Sequence, residues 1–146
     1  MGNFNGKTIL VSGASSGIGK ACVKSFAAQG ARLILCARSL EKMQEIAEKL
    51  KDEFGTESKV LQVDVRNRTE VEAAINSLPD EWTKIDILVN NAGGALGLEK
   101  LHEGNPSDWD AMIDTNIKGL LYLTRLIVPM MLRQGLKGHV VNIGSI

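Results

Sequence analysis

The chain has 146 residues, of which 44% are hydrophobic and 23% are charged, and this is enough for one domain with its own hydrophobic core. Its 17 basic and 17 acidic residues cancel, so the composition offers no basic field for nucleic acid or an anionic membrane. The polar first residues lack the apolar segment of a secretory signal. The longest apolar tract, within residues 119–131, contains Arg125 and is too short to cross a bilayer.

The few cysteines and histidines indicate neither a disulfide nor a metal site. Cys22 and Cys36 are isolated and fall in a predicted helix and a predicted strand, where reduced core residues are expected. Reduced cysteines favour a cytoplasmic protein. His102 and His139 lie far apart without ligand spacing around them, so we expect no bound metal.

A glycine-rich stretch separates the first predicted strand from the first predicted helix. Residues 8–11 form an apolar run typical of a short buried strand, and residues 20–29 predict a helix. Between them lies the sequence Ser-Gly-Ala-Ser-Ser-Gly-Ile-Gly, residues 12–19. This layout is typical of a dinucleotide-binding crossover, in which the N–H groups of the first helical turn face an anion.

Each glycine of this stretch suits a separate role. Gly13 suits the tight turn out of the strand, Gly17 lets backbone approach a pyrophosphate, and Gly19 lets the helix pack against the sheet. A glycine-rich turn that binds no ligand is the alternative that these residues leave open.

The end of the second predicted strand favours NADP over NAD. Residues 32–37 predict this strand, and Arg38 and Ser39 follow it. An acidic residue near this point would bind the ribose 2′-hydroxyl of NAD, but residues 31–40 contain none. The guanidinium of Arg38 and the hydroxyl of Ser39 instead suit a 2′-phosphate. The alternative is that Arg38 is a solvated residue at the start of the next helix.

The third and fourth predicted strands also end in polar or small residues. An amphipathic helix over residues 39–54 precedes the third strand, which ends at Asp64 and Val65. The Asp64 carboxylate suits an adenine amino group, although such a residue is more often a helix cap or a surface charge. After a helix over residues 69–78 comes the fourth strand.

The fourth strand, residues 85–90, is followed by the sequence Asn-Ala-Gly-Gly. Asn91 suits bonds to neighbouring backbone, while the small residues Ala92 and Gly93 leave room for a ribose. A plain Asn/Gly turn explains these residues equally well.

The last part of the chain predicts a long helix and a fifth strand. Ser107 is expected to cap the helix, which runs to about residue 133, with Pro129 producing a kink or distorted turn. Asn116 lies among apolar neighbours and is expected to be buried. Residues 120–131 are apolar around most of the circumference, which favours a partner helix and thus a homo-oligomer.

The fifth strand is predicted over residues 138–144, with Ser145 at its carboxyl end. Strands alternate with helices without a repeat or a low-complexity linker. We therefore predict an α/β fold, a Rossmann-type doubly wound parallel sheet, in one domain over residues 1–146.

These residues together resemble the short-chain dehydrogenase/reductases. Five segments occur in that family's order and approximate spacing: residues 13–19, Asp64-Val65, residues 90–93, Asn116 with Gly119, and Gly144-Ser145. The resemblance implies that five of the family's usual seven strands are present. It also implies an NADP site formed by Gly13, Ser15, Ser16, Gly17, Ile18, Gly19, Arg38, Ser39, Asp64, Val65, Asn91, Ala92 and Gly93.

The resemblance implies catalytic roles for two further residues. Ser145 would hydrogen-bond the reacting carbonyl or alkoxide, and Asn116 would support a water-mediated proton relay. The sequence is most similar to one branch, the NADP-dependent 3-hydroxy acid dehydrogenases of the serine and allo-threonine type. This implies hydride transfer to or from a small 3-hydroxy acid or a related alcohol by a dimer or tetramer.

One departure from the family concerns its proton donor, a tyrosine about a dozen residues after the serine, with a lysine four residues later. The only tyrosine here, Tyr122, precedes the serine and has Leu126 four residues on. We therefore expect these residues to be the N-terminal portion of a longer enzyme and to lack activity alone. The alternative is a complete, non-catalytic NADP(H)-binding module.

Overall fold

The computed structural model describes residues 3–135 and 137–145. Five strands form one parallel sheet in the order β3-β2-β1-β4-β5. The strands are β1 (Thr8–Ser12), β2 (Arg32–Ala37), β3 (Ser58–Gln62), β4 (Ile87–Asn90) and β5 (His139–Asn142). The helices are α1 (Gly17–Ala27), α2 (Leu40–Phe54), α3 (Arg68–Asn76), α4 (Pro106–Ile113) and α5 (Leu120–Arg133). The predicted α/β fold with a parallel sheet is confirmed.

The strand order reverses at β1. From this central strand the chain builds outward through β2 and β3, then returns to the other side of β1 with β4. Val11 of β1 therefore pairs with Leu35 on one side and with Val89 on the other. In open parallel sheets the crevice at such a reversal, beyond the carboxyl ends of the strands, is where ligands bind.

Two hydrophobic clusters cover the two faces of the sheet. Successive residues of β1 point to opposite faces, so Ile9 packs with α1 and α2 while Leu10 packs with α3 and α5. Both side chains are fully buried. Burial on both faces explains why β1 and β2 are continuous apolar runs without alternation.

The helix that follows β4 begins differently from the prediction. Asn105, rather than Ser107, is the N-cap of α4, and its Oδ1 accepts a hydrogen bond from the Ser107 N–H at 3.0 Å. Pro106 takes the first helical position, where its missing N–H costs nothing. The predicted cap at Ser107 is wrong because this proline already lies within the helix.

The predicted long helix is present as α4 and α5, joined by a π-helical segment over Asp114–Gly119. This π-helical segment, a widened turn of helix, is the distorted part of the long helix and lies before Pro129. Pro129 itself lies inside α5. Much of the apolar circumference of α5 packs within the chain, because Leu123, Ile127 and Met131 are buried in the core. Leu121 and Leu132 remain exposed. Among the described residues, no helix combines the length and apolarity needed to span a membrane.

Candidate functional site

The turn after β1 and the start of α1 depend on glycine. Gly13 has φ +66°, in the left-handed region that favours glycine. At Gly19, in the first turn of α1, a Cβ would lie 2.5 Å from Asn91 Nδ2 and 2.8 Å from the carbonyl carbon of Gly13. The absence of side chains therefore lets α1 begin directly against the end of β1.

The N-terminus of α1 has no side-chain cap. Ser16 occupies the N-cap position but makes no capping hydrogen bond, and the first turn contains no acidic residue. In contrast, side chains cap α2, α3 and α4. The first backbone N–H groups of α1 have no partner within the helix, and the dipole gives them a positive potential. Gly17 and Ile18 are exposed beside them.

The buried hydroxyl of Ser12, which was not among the predicted site groups, joins the turns after β1 and β4. Ser12 Oγ accepts hydrogen bonds from the backbone N–H groups of Asn91 and Ala92, both at 3.0 Å. Asn91 Nδ2 in turn donates to the carbonyl oxygens of Ser12 and Gly13, at 3.1 and 3.3 Å. The only sequence signal for this role is a hydroxyl residue at the end of an apolar run.

Asn116 holds the loop after β4 but is not buried. Its Oδ1 accepts from the Gly94 N–H at 2.9 Å, and its Nδ2 donates to the Gly94 carbonyl at 2.8 Å. A Cβ on Gly93 would lie 2.9 Å from the same Oδ1. The predicted burial is wrong, because Asn116 is exposed on the π-helical segment. Its side-chain amide forms hydrogen bonds with the backbone of the loop after β4.

Arg66, also absent from the sequence predictions, holds the Asp64 carboxylate. Arg66 Nη2 donates to Oδ2 at 2.6 Å and Nε donates to Oδ1 at 3.0 Å. These hydrogen bonds, aided by the charges of Arg66 and Arg38, keep the pKa of Asp64 below its ordinary value. Asp64 is therefore an ionised hydrogen-bond acceptor. It does not cap α3, which is capped by Asn67.

Arg38 and Ser39 lie between β2 and α2, as predicted. The Arg38 side chain is exposed and forms no ion pair with any residue in the described part of the chain. Its backbone carbonyl accepts a hydrogen bond from Gln62 Nε2 at 3.1 Å. Ser39 caps α2, because its Oγ accepts from the Lys42 N–H at 3.5 Å. The Ser39 O–H can still donate to another group.

The remaining candidate residues lie at the same edge of the sheet. Val65 is buried and contacts Gly119, where a Cβ would lie 2.6 Å from Val65 Cγ2. Ser145 is exposed and follows β5, whose last residue, Asn142, pairs with Asn90 of β4. Tyr122 is half-buried and packs against the core of the α3 and α5 face.

The structure thus brings the motifs of the glycine turn, the β4 turn and the π segment into one connected site at the strand reversal. This arrangement defines a Rossmann-type α/β domain. The family model for short chain dehydrogenases matches residues 7–146. The chain belongs to the short-chain dehydrogenase family.

Curated relatives match over nearly the whole chain. It is 48% identical over 137 residues to the NADP-dependent 3-hydroxy acid dehydrogenase YdfG of Escherichia coli (strain K12), covering 94% of this chain and 53% of that protein. It is 39% identical to sulfoacetaldehyde reductase 2 of Chromohalobacter salexigens, with 94% and 54% covered. The chain spans about half the length of the curated relatives it matches.

Solved structures share both the fold and part of the sequence. Serine dehydrogenase from Escherichia coli superposes with a TM-score of 0.86 at 48% identity, covering 94% of this chain and 61% of that one. L-sorbose reductase from Gluconobacter frateurii, in complex with NADPH and L-sorbose, gives a TM-score of 0.90 at 33% identity, with 99% and 54% covered. A closed form of serine dehydrogenase is complexed with NADP+.

Proposed function

We propose that this chain forms the cofactor-binding domain, over residues 1–146, of an NADP-dependent oxidoreductase. The reaction is hydride transfer between nicotinamide and the carbonyl or hydroxyl of a small 3-hydroxy acid or related alcohol. One observation carries the proposal. The uncapped N-terminus of α1 packs against the end of β1 at Gly19, where a Cβ would clash. It lies next to the end of β2, where Arg38 forms no ion pair with a described residue and residues 31–40 contain no acid. The NADP-dependent relatives and the NADP complexes support it.

The glycine turn fits the pyrophosphate of the cofactor. A Cβ at Gly17 would meet nothing within 4 Å, so the backbone is open to a ligand there. The first-turn N–H groups of α1 supply donors without adding a charged side chain. We assign the pyrophosphate and nearby ribose to Gly13, Ser15, Ser16, Gly17, Ile18 and Gly19.

The adenosine half of the cofactor is assigned to the ends of the neighbouring strands. Arg38 and Ser39 bind the 2′-phosphate, with a planar cation and a hydroxyl donor respectively. Asp64, kept ionised by Arg66, accepts the adenine amino group, with Val65 beside it. The adjoining ribose is assigned to Asn91, Ala92 and Gly93.

Two residues are proposed for the reacting end. Bound nicotinamide supplies the hydride donor or acceptor. Ser145 donates a hydrogen bond to the carbonyl oxygen of the substrate. Asn116 fixes the loop after β4 through Gly94 and keeps one amide N–H for a relay water. The proton itself needs a group of suitable pKa. Tyr122, packed against the core, does not supply it.

The cofactor assignment is tested by Arg38→Asp. The substitution replaces the cation at the 2′-phosphate with a carboxylate, so we expect affinity for NADP+ to fall by about tenfold or more while affinity for NAD+ stays equal or rises. Isothermal titration calorimetry measures both dissociation constants. Arg125→Asp, on the exposed face of α5, is the matched control and should change neither. An equal loss for both cofactors would remove Arg38 from the site.

We further propose that the whole protein is a homo-oligomer that assembles through an apolar stripe on the joined helices. Ile113, Ile117 and Leu121 lie four residues apart on one face and are 46%, 54% and 56% exposed. Ile117→Lys should therefore lower the mass measured by sedimentation. Leu98→Lys, at a fully exposed loop residue, should leave that mass unchanged. A wild-type protein that sediments as a monomer would contradict this proposal.

A cytoplasmic location is part of the same proposal. Cys22 and Cys36 are both free, and burial raises the pKa of the Cys36 thiol to about 12. Free thiols persist in a reducing compartment. Fractionation of the source cells, probed with an antibody to the chain, tests the location.

A further inference from the structure

A basic cleft lies between the glycine turn and α2. Its volume is about 350 Å³, and Ser15 and Ser16 form one wall. The charged side chains that line it are Lys20 from α1 and Lys42, Glu45 and Lys49 from α2. These charged side chains are not part of the hydrophobic core, and the cofactor contacts proposed above do not include them.

The cleft carries a positive charge that the protein leaves unbalanced. Three lysines face one carboxylate, and none of the three forms an ion pair with a described residue. Nearby Lys24, in contrast, pairs with Glu53 at 3.1 Å. The positive end of the α1 dipole adds to the same field. Such a concentration of cations favours a multiply charged anion.

The backbone of α2 places Lys42 close to the predicted 2′-phosphate site. The Lys42 N–H is bonded to Ser39 Oγ, so the lysine belongs to the same first turn as the proposed phosphate-binding residues. Lys49 lies seven residues further along the same helical face, about 10 Å along the axis. Ser39 lies three residues before Lys42, so Lys49 is about 15 Å from Ser39 along the axis. This separation exceeds the Debye length of about 10 Å at 0.1 M salt, so the charge of Lys49 is largely screened from a ligand at Ser39.

We propose that Lys42 is a further specificity-determining residue, whose ammonium binds the 2′-phosphate of the adenosine half from inside this cleft. A phosphate monoester carries nearly two negative charges at neutral pH, and the single guanidinium of Arg38 leaves one of them unmatched. Lys42 supplies the second cation as a flexible point charge, and the Ser15 and Ser16 hydroxyls are donors at the opposite wall. The inference rests on the proposed NADP function.

The test uses two probes that differ only in the phosphate concerned, adenosine 2′,5′-bisphosphate and 5′-AMP. Titration calorimetry compares wild type, Arg38→Asp, Lys42→Ala, Lys42→Arg and Lys49→Ala. For Lys42→Ala we expect bisphosphate affinity to fall about tenfold and 5′-AMP affinity to change less than about twofold. Lys42→Arg should keep most of the preference, and Lys49→Ala should change both affinities less than about twofold. These three lysine substitutions are on exposed side chains, so the fold is retained.

The outcomes separate this inference from the function on which it rests. If wild type does not prefer the bisphosphate, both the NADP assignment and the role of Lys42 are overturned. If wild type prefers it and Arg38→Asp removes the preference, yet Lys42→Ala matches Lys49→Ala, only the role of Lys42 is overturned. A selective loss in Lys42→Ala that shrinks at 0.5 M salt supports a direct charge contact.

Discussion

Single hydrogen-bonding side chains fix the geometry of the candidate site. Ser12 Oγ accepts hydrogen bonds from two backbone N–H groups of the turn after β4. The Asn116 side chain forms hydrogen bonds with both the backbone N–H and the carbonyl of Gly94. Arg66 holds Asp64 by three side-chain hydrogen bonds, at 3.0, 3.1 and 2.6 Å. These residues give the loops at the strand ends one defined conformation before any ligand arrives, which reduces the entropy cost of binding.

Removing the buried hydroxyl tests this role at Ser12. Ser12→Ala leaves the N–H groups of Asn91 and Ala92 without their acceptor, so we expect the free energy of unfolding to fall by about 2 kcal/mol. Chemical denaturation measures it. Ser12→Thr keeps the hydroxyl and should retain most of the stability. Ser77→Ala, which removes an exposed serine hydroxyl, should cost less than about 0.5 kcal/mol. Equal costs at the two serines would contradict the bridging role.

The Asp64–Arg66 pair predicts a dependence on pH. Because the folded pKa of Asp64 is depressed, its contribution to stability is present above the unfolded pKa and is lost as pH falls through the folded pKa. Arg66→Gln removes the main cause of the depression. We expect NMR titration of the Asp64 carboxyl carbon to show a higher pKa in the variant. The stability difference from wild type should vanish at pH values below both pKa values. An unchanged Asp64 pKa would refute this assignment.

At the scale of elements, the π segment positions one helix against the end of β3. The widened turn places Gly119 directly on Val65, where even a methyl group would meet Val65 Cγ2 at 2.6 Å. Asn116, within the same segment, meets the loop after β4. A single irregular turn thus contacts two strand ends at the candidate site. Single π-helical turns are frequently found at functional sites.

The packing of Gly119 on Val65 is tested by a double-mutant cycle. Gly119→Ala should destabilise the fold by about 1 kcal/mol, because the steric clash exceeds the gain in helix propensity. Val65→Ala alone opens a cavity. The double variant places the new methyl group in that cavity, so it should be more stable than the sum of the single effects by about 1 kcal/mol. Additive effects would show that the two residues do not compete for the same space.

The matched control for this cycle is Gly144→Ala. A Cβ there would meet nothing within 4 Å, and its φ is outside the positive range. Its effect on thermal unfolding should therefore be small. A large effect at Gly144 would mean that loss of a glycine, rather than contact with Val65, explains the result at Gly119.

At the scale of the whole molecule, one edge of the sheet carries exposed apolar side chains. Within the described residues β5 pairs only with β4, and Val140 and Ile143 are 37% and 38% exposed. An apolar edge strand is a template for pairing with another chain. The 146-residue chain should therefore aggregate with time at high concentration, as measured by light scattering.

A charge on this edge should slow that aggregation. We expect Val140→Lys to delay the rise in scattering several-fold, because a lysine on an edge strand opposes strand addition. Leu98→Lys adds the same charge away from the sheet and should have little effect. Equal delays in the two variants would indicate that net charge, and not the strand edge, controls association.

Several features follow from the sequence because they depend on neighbouring residues. The apolar run of residues 32–37 matches β2 residue for residue, and the positive φ of Gly13 agrees with the predicted turn. The predicted cap at Ser107 lies two residues too late, although Asn105 followed by Pro106 is itself a local signal for a helix start. The absence of an acid at the β2 end is likewise a property of the sequence itself.

The tertiary structure decided what depends on residues far apart in the chain. Ser12 and Asn91 are 79 residues apart, and Asn116 and Gly94 are 22 apart, so no local pattern encodes their hydrogen bonds. Lys20 and Lys42 face one cleft only because α1 and α2 pack side by side on the sheet. The sequence by itself determined the alternation of strands and helices and therefore the class of fold. Packing decided which side chains meet, because contact between distant segments exists only after the sheet has formed.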